Sequence, residues 1–447
     1  MNFEVNMTIL CYERRLGKGP TMKKIFAILS TIAVALQVAG LSADDTKIDP
    51  LLSFRMSVKS EALSALVLMA KLDFLECEQD GERYLDCAKK KTLEAQFDVR
   101  EFVNALPKSY EANHRRHQFF WIANAAVVSL FPEEIRELSS LKSVVKIYLD
   151  EIPWNKPRAS HSSTDSTIHY LKALEAMNVI KMHSRYSEFL GRDVGVGIVG
   201  ALADRHFRLS NIVEQKLIGE GNALDVSIGT SAAGLIAADV ESSEPYISVA
   251  PGARLYVAAP AIAADKTRIS SLLNAIEWLT ASDKKISVLV NLWGTGDTPN
   301  LRPMYEQMVF HLENANMIII FPAGHDGPAG TIGGPANVSN FITVGAVDNA
   351  GNILRYTSRG AQGSGKPECY APGENVFSTA LNNSFSAETG TAISAALVGG
   401  LAAFAKQVNP TLSARYFRET LRKTCGKSPV DALEFMNRLT NQTSGGE

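Results

Sequence analysis

Thr389-Gly390-Thr391-Ala392-Ile393-Ser394-Ala395-Ala396-Leu397-Val398-Gly399-Gly400 is the stretch on which the reading of this chain turns. A Gly-Thr step opens a run of Ala, Leu and Val, and paired glycines let neighbouring backbone come close where a Cβ would forbid it. The run predicts a closely packed helix over Ala392–Gln407. Position 392, in the first turn of that helix, carries only a methyl group.

Upstream, Val194-Gly195-Val196-Gly197-Ile198-Val199 is a short apolar run bounded by turn formers and reads as a central strand. Ile228-Gly229-Thr230-Ser231-Ala232-Ala233-Gly234 follows, and then Val249-Ala250-Pro251-Gly252-Ala253-Arg254-Leu255-Tyr256-Val257, a turn leading into a strand. Val288-Leu289-Val290-Asn291-Leu292-Trp293-Gly294 and Ile318-Ile319-Ile320-Phe321-Pro322-Ala323-Gly324-His325 each run from strand into turn. Phe341-Ile342-Thr343-Val344-Gly345-Ala346-Val347 and Tyr370-Ala371-Pro372-Gly373 complete the series. Strands are expected at Val194–Val199, Leu255–Ala259, Ser287–Asn291, Met317–Phe321 and Phe341–Val344. Helices are expected at Thr230–Asp239, Ile269–Ala281, Met304–Ala315, Ala392–Gln407 and Ser413–Thr424. Such alternation is the signature of a parallel sheet covered on both faces.

In this order the segments resemble the motifs of the subtilisin-like serine proteases, the subtilases, from about Thr167 to Cys425. The nucleophile motif of that family reads G-T-S-M-A-x-P-x-V-A-G. Gly390-Thr391 before the key position, with Val398 and Gly400 after it, put the serine position on Ala392. The same resemblance puts the aspartate position on Gly200, the histidine position on Ile228 and the oxyanion-hole asparagine on His325. Trp293 replaces a serine of the cleft-lining strand, so the indole is expected where peptide backbone would lie. Implied cleft residues are Asn291, Trp293, Gly294, Gly324, His325 and Thr391. The fold implied is a subtilisin-like three-layer α/β domain with a parallel central sheet.

A methyl group has no lone pair to attack a carbonyl, and an isoleucine neither takes nor returns a proton. The leading expectation is therefore an exported, catalytically inactive homologue that binds a peptide or protein ligand in the former substrate cleft, with neither cofactor nor metal. The alternative is a subtilisin-like endopeptidase with displaced catalytic groups. Ser394, Ser231, Asp204 with His206, and His325 with Asp326 are the candidates for that. If the helix holds, Ser394 lies about 200° around it from Ala392 and is read as a small packing residue, like Ser231. Asp204 and His206 are read as surface-loop residues. A third reading is an extracellular structural domain whose groove is simply filled.

The 447 residues carry 46% apolar and 21% charged side chains and a net charge of −2, enough for two or three domains and no electrostatic case for nucleic acid. Met22-Lys23-Lys24, the apolar run Ile25 to Gly40 and Leu41-Ser42-Ala43 form a secretory signal pattern over 22–43, with cleavage expected after Ala43. An uncleaved anchor is the other reading of this segment, though the run is shorter than the roughly 20 residues of a span. Removing it takes Cys11 away and leaves Cys77, Cys87, Cys369 and Cys425. Pairing of Cys77 with Cys87 around the turn-like Gln79-Asp80-Gly81 is one option, with Cys369–Cys425 as its complement; four buried thiols are another.

Residues 48–155 read as a small α+β domain. Ser60 to Lys71 and Leu93 to Leu106 have helical periodicity, His117 to Val128 is strand-like, Pro132–Leu138 starts a helix with acids in its first turn, and Val144–Leu149 alternates as a strand. This order, with Phe119-Phe120-Trp121-Ile122-Ala123-Asn124, resembles the inhibitor-type propeptide that precedes many bacterial subtilases. The resemblance implies a module that covers the cleft in cis. A Pro- and Ser-containing linker, 156–166, joins it to the main domain, 167–440. Since the cutting groups are missing, the module is expected to stay attached.

Overall fold

The computed structural model describes residues 46–59, 61–72, 74, 76–77, 81–106, 117–153, 171–222, 226–240, 247–263, 266–296, 298–327, 332–425 and 429–443. The signal segment 22–43 and the linker 156–166 lie outside them.

The N-terminal part runs α1 (Pro50–Val58), β1 (Leu63–Met69), α2 (Gly81–Ala95), α3 (Phe97–Ala105), β2 (His117–Phe120), β3 (Ala125–Leu130), α4 (Pro132–Ser139), β4 (Val144–Leu149) and the two-residue β5 (Ile152–Pro153). The strands β2-β3-β1-β4 form an antiparallel sheet. One expectation fails here: Leu63–Met69 is a strand and not part of a helix. Its residues are helix formers, yet Ala65, Val67 and Met69 are buried against Leu52, Val99 and Ile135, while Leu66 and Leu68 are buried in the core on the other side. Burial on both faces overrides propensity. The strand-like run from His117 is two strands joined by a tight turn at Asn124, whose φ is +40°. Cys77 and Cys87 form a disulfide that ties the chain ahead of α2 to that helix.

The larger part continues α5 (Lys172–Ala176), α6 (Val179–Arg185), β6 (Gly195–Val199), β7 (Ile212–Ile218), α7 (Val226–Ala237), β8 (Arg254–Pro260), β9 (Ile262–Ala263), β10 (Lys266–Thr267), α8 (Ile269–Leu279), β11 (Ile286–Asn291), α9 (Arg302–Asn314), β12 (Ile318–Pro322), β13 (Ile342–Val347), β14 (Cys369–Pro372), β15 (Val376–Ala380), β16 (Ser384–Glu388), α10 (Thr391–Val408), α11 (Ala414–Thr424) and α12 (Ala432–Thr443). A seven-stranded sheet has the order β14-β13-β12-β11-β6-β8-β7, every pair parallel. This is the expected three-layer α/β architecture.

Glycines let the layers close. A Cβ on Gly399 of α10 would stand 2.4 Å from the Val290 side chain, and one on Gly197 would stand 2.6 Å from Leu289 and 3.2 Å from Leu279 of α8. Successive residues of β11 thus face α10 on one side of the sheet and α8 on the other. Among the edge strands, β5, β7, β15 and β16 have no counterpart in the sequence pattern. They are very short or interrupted by polar residues, so they lack the unbroken apolar run that marks the central strands.

The two parts share a core. Leu66, Leu68, Phe74, Tyr84, Phe120 and Ile122 belong to the same buried cluster as the main sheet. Glu277 of α8 accepts the backbone N–H groups of Trp121 (2.7 Å) and Ile122 (3.2 Å). Asp150 accepts Ser270 N–H at 2.9 Å and Ser270 Oγ at 2.7 Å, so it caps the first turn of α8 from the other part. Tyr84 Oη lies 2.9 Å from His311 Nδ1 on α9, a ring also flanked by Phe74 and Trp121.

Burial holds Glu277 up at about 7 against the two N–H bonds, which favour its charge. A carboxyl raised in the folded state contributes stability present below its ordinary range and lost as pH rises through about 7. Burial holds His311 down at about 4, which acts in the opposite sense: its contribution is present above the usual imidazole range and lost as pH falls towards 4. Most of the Glu277 contribution is lost below pH 6, so about 1 kcal/mol of it falls away between pH 6 and 8, more than the opposing His311 gain over that interval. Melting of the wild type is therefore expected to fall over that interval, and the fall to flatten in Glu277→Gln, whose amide oxygen keeps an acceptor. Identical pH slopes in thermal melts of the two proteins are the contrary result.

Candidate functional site

Gly200 directly follows β6, with φ +127° and its N–H donated to Ala258 O at 3.0 Å. A Cβ there would lie 3.3 Å from both the Leu292 carbonyl carbon and Trp293 Cδ1. Two residues beyond β11, Trp293 donates Nε1–H to Asn291 Oδ1 at 2.9 Å, and Asn291 Nδ2 donates to Ile320 O at 3.2 Å. The Phe321 ring meets the indole edge-on, centroids 5.3 Å apart. Expected where a peptide backbone would lie, Trp293 is instead 1% exposed, and Asn291 is 2% exposed. The physical reason is local: the space beside a residue with no side chain takes the indole, and the neighbouring amide satisfies its N–H.

Ile228 is the third residue of α7, which begins four residues earlier than the sequence pattern suggests, and it is buried in the main core. Ala392 is the second residue of α10 and is likewise buried. At the start of α10, Thr391 N–H donates to His325 Nε2 at 3.2 Å, while Thr391 Oγ1 accepts Gly324 N–H at 3.2 Å. This reciprocal pair fastens the loop after β12 to the helix N-terminus. Because Nε2 accepts, the neutral ring carries its proton on Nδ1. The imidazole also lies against Tyr356, centroids 4.8 Å apart, and Tyr356 Oη donates to Gly373 O at 2.7 Å. Gly324 has φ +96°. Gly294 is half-buried beside open space; a Cβ there would meet nothing nearer than Gly334 O at 3.7 Å.

Ser394, Ser231, Asp204 and His206 are engaged elsewhere. Ser394 Oγ is buried and donates towards Ala371 O and Pro372 O, each at 3.1 Å. Ser231 Oγ donates to Thr379 O at 3.0 Å. Asp204 accepts the N–H groups of Arg205 and Asn382. His206, read as a surface residue, is only 7% exposed: Nδ1 accepts Arg208 N–H, Nε2 donates to Ser384 O, and burial pushes the imidazole below its usual range. Asp326 is exposed, and its N–H donates to Ser358 Oγ. The Cys369–Cys425 bridge is absent as well. Both are buried thiols whose sulfurs converge on Tyr370 O, and burial pushes the Cys369 thiol up.

One feature has no signal in the sequence. Ile152 and Pro153 pair antiparallel with Thr267 and Lys266, so β5 joins β10 and β9 in a small sheet beside the first turn of α8. Two-residue strands carry no periodicity.

The same ordered arrangement recurs in known proteins. The family model described as the subtilase family matches residues 229–443. Subtilisin DY of Bacillus licheniformis is 30% identical over 242 residues, which cover 53% of this chain and 85% of that protein. The chain belongs to the subtilase family. Subtilisin E of Bacillus subtilis (strain 168) is 25% identical over 316 residues, 68% of this chain and 76% of that protein. Fervidolysin of Fervidobacterium pennivorans, described as a keratinolytic enzyme related to subtilisin, superposes with a TM-score of 0.59 at 16% identity, covering 84% of this chain and 61% of its own. At that identity the superposition speaks for the fold alone.

Proposed function

We propose that this protein is an exported, catalytically inactive subtilase homologue that acts by binding a peptide or protein segment, its own N-terminal module being the first such ligand in cis. The observation that carries the reading is the methyl group of Ala392 at the position where the family pattern has its nucleophile. Gly200, Ile228 and His325 at the other three family positions remove the carboxylate, the base and the oxyanion donor with it. Export rests on the Met22–Ala43 pattern and suits the Cys77–Cys87 disulfide, a bond that persists in oxidising compartments.

Binding rests on β10. Its two residues already accept an extended segment through backbone pairing, a mode in which main-chain hydrogen bonds supply affinity and flanking pockets supply selectivity. The displaced-endopeptidase reading gains nothing from Ser394, Ser231 or His206, whose polar atoms are committed to backbone groups.

A fluorescence-anisotropy titration with an extended-peptide library tests this reading, comparing the purified full chain with a variant carrying Ile152→Gly and Pro153→Gly, in which β5 is weakened and the β10 edge is freed. Tighter binding is expected for the freed variant, and Thr267→Pro, which removes a backbone donor from β10, should weaken it roughly tenfold or more. No peptide binding by folded protein, or affinity untouched by the proline, goes against it.

A further inference from the structure

β7 closes one side of the central sheet, and among the described residues its second edge pairs with no strand. Val213 to Leu217 are all exposed, Val213 at 55% and Leu217 at 36%. A long, exposed edge strand is a template for another strand, and natural sheets usually blunt it with a lone charge, a proline or a covering loop. The sequence of β7 does something different. Ile212-Val213-Glu214-Gln215-Lys216-Leu217-Ile218 reads as a chemical palindrome centred on Gln215.

We infer that this edge is a homodimer interface, in which β7 of one copy pairs antiparallel with β7 of a second about a two-fold axis at Gln215. In that register Glu214 faces Lys216, the pair occurring twice on either side of Gln215, with the apolar residues of the two strand ends beyond it. Directly opposed residues share one face of a sheet, and the structure meets that requirement. Glu214 and Lys216 both lie on the α8 side: a Glu214 carboxylate oxygen is 3.6 Å from Lys284 Nζ, and Lys216 Nζ is 5.9 Å from the centre of the Trp278 ring. Gln215 lies on the opposite face, where its Oε1 accepts Ala203 N–H at 3.2 Å. A bulge at Val213 shifts the register towards β8 and leaves Glu214 to Ile218 regular.

Charge also selects the orientation. Parallel, in-register pairing would set Glu214 on Glu214 and Lys216 on Lys216, whereas the antiparallel pairing matches opposite charges on both sides of the axis. An isologous contact of this kind closes on itself and does not propagate into fibres. The inference is independent of what the cleft binds.

Sedimentation velocity of the purified full chain over a concentration series is the test, with charge reversals at two exposed positions. Wild type is expected to dimerise, with exchange of the 213–217 amides slowing as concentration rises. Glu214→Lys alone and Lys216→Glu alone each set like charges together twice and should weaken the dimer about 10- to 100-fold. The double reversal restores opposite charges and should restore association. A wild type that stays monomeric with concentration-independent exchange overturns the inference. So do single reversals that associate like wild type, or a double reversal as weak as the singles.

Discussion

Replacing Ala392 with serine is expected to return no measurable peptidase activity, and Ala392→Ser combined with Ile228→His is expected to fare no better. A serine at 392 would have no base beside it, since the corresponding position in α7 is an isoleucine buried in the core. A histidine placed there would lack the carboxylate that fixes its tautomer, and loss of a single triad member already costs about 10⁴- to 10⁶-fold in turnover. Supplying that carboxylate is the hardest step. Gly200 sits at φ +127°, with Leu292 and Trp293 each 3.3 Å from where a Cβ would stand. Left-handed strain and overpacking together put Gly200→Asp at roughly 2–4 kcal/mol of destabilisation. Release of a chromogenic anilide from peptide substrates should match buffer for each variant. Turnover by Ala392→Ser above that baseline would mean a base exists that the geometry does not reveal.

Removing residues 46–153 is expected to cost the remaining chain most of its stability. The seam is a continuous buried cluster: Phe74 and Trp121 flank His311, and Tyr84 hydrogen-bonds it. His311 is fully buried, so truncation would expose an apolar patch of α9 around an imidazole shielded until then. The first turn of α8 would lose Asp150, which currently satisfies Ser270. Losing one cap costs about 1 kcal/mol, and each large apolar side chain returned to water about 1.5–3 kcal/mol. Differential scanning fluorimetry should show the truncated chain melting roughly 10 °C or more below the full chain. Equal melting temperatures would make the N-terminal module a dispensable passenger.

The parts of this molecule that could be read in advance are those where burial imposes a simple pattern. Val194–Val199 and Met317–Phe321 are apolar throughout because both faces of their strands are covered, and Ala392–Gln407 is rich in small residues because it lies across the sheet. Leu63–Met69 misled because Leu and Ala favour a helix locally, while two cores, one on each side, hold it as a strand. Trp293 misled for a related reason: its place in the motif is visible, but the void beside Gly200 that receives the ring belongs to a different strand. His206 follows the same rule, since only the hairpin β15–β16 brings Ser384 to its Nε2.

Whether an activated hydroxyl survives near the α10 N-terminus decides between binding protein and enzyme, and an active-site-directed fluorophosphonate reads it most directly. The full chain, incubated with the probe and digested for peptide mapping by mass spectrometry, is expected to carry no phosphonylated residue. A single stoichiometric adduct, on Ser394, Ser231 or any other hydroxyl, would show that an activated nucleophile survives and that the protein is an enzyme.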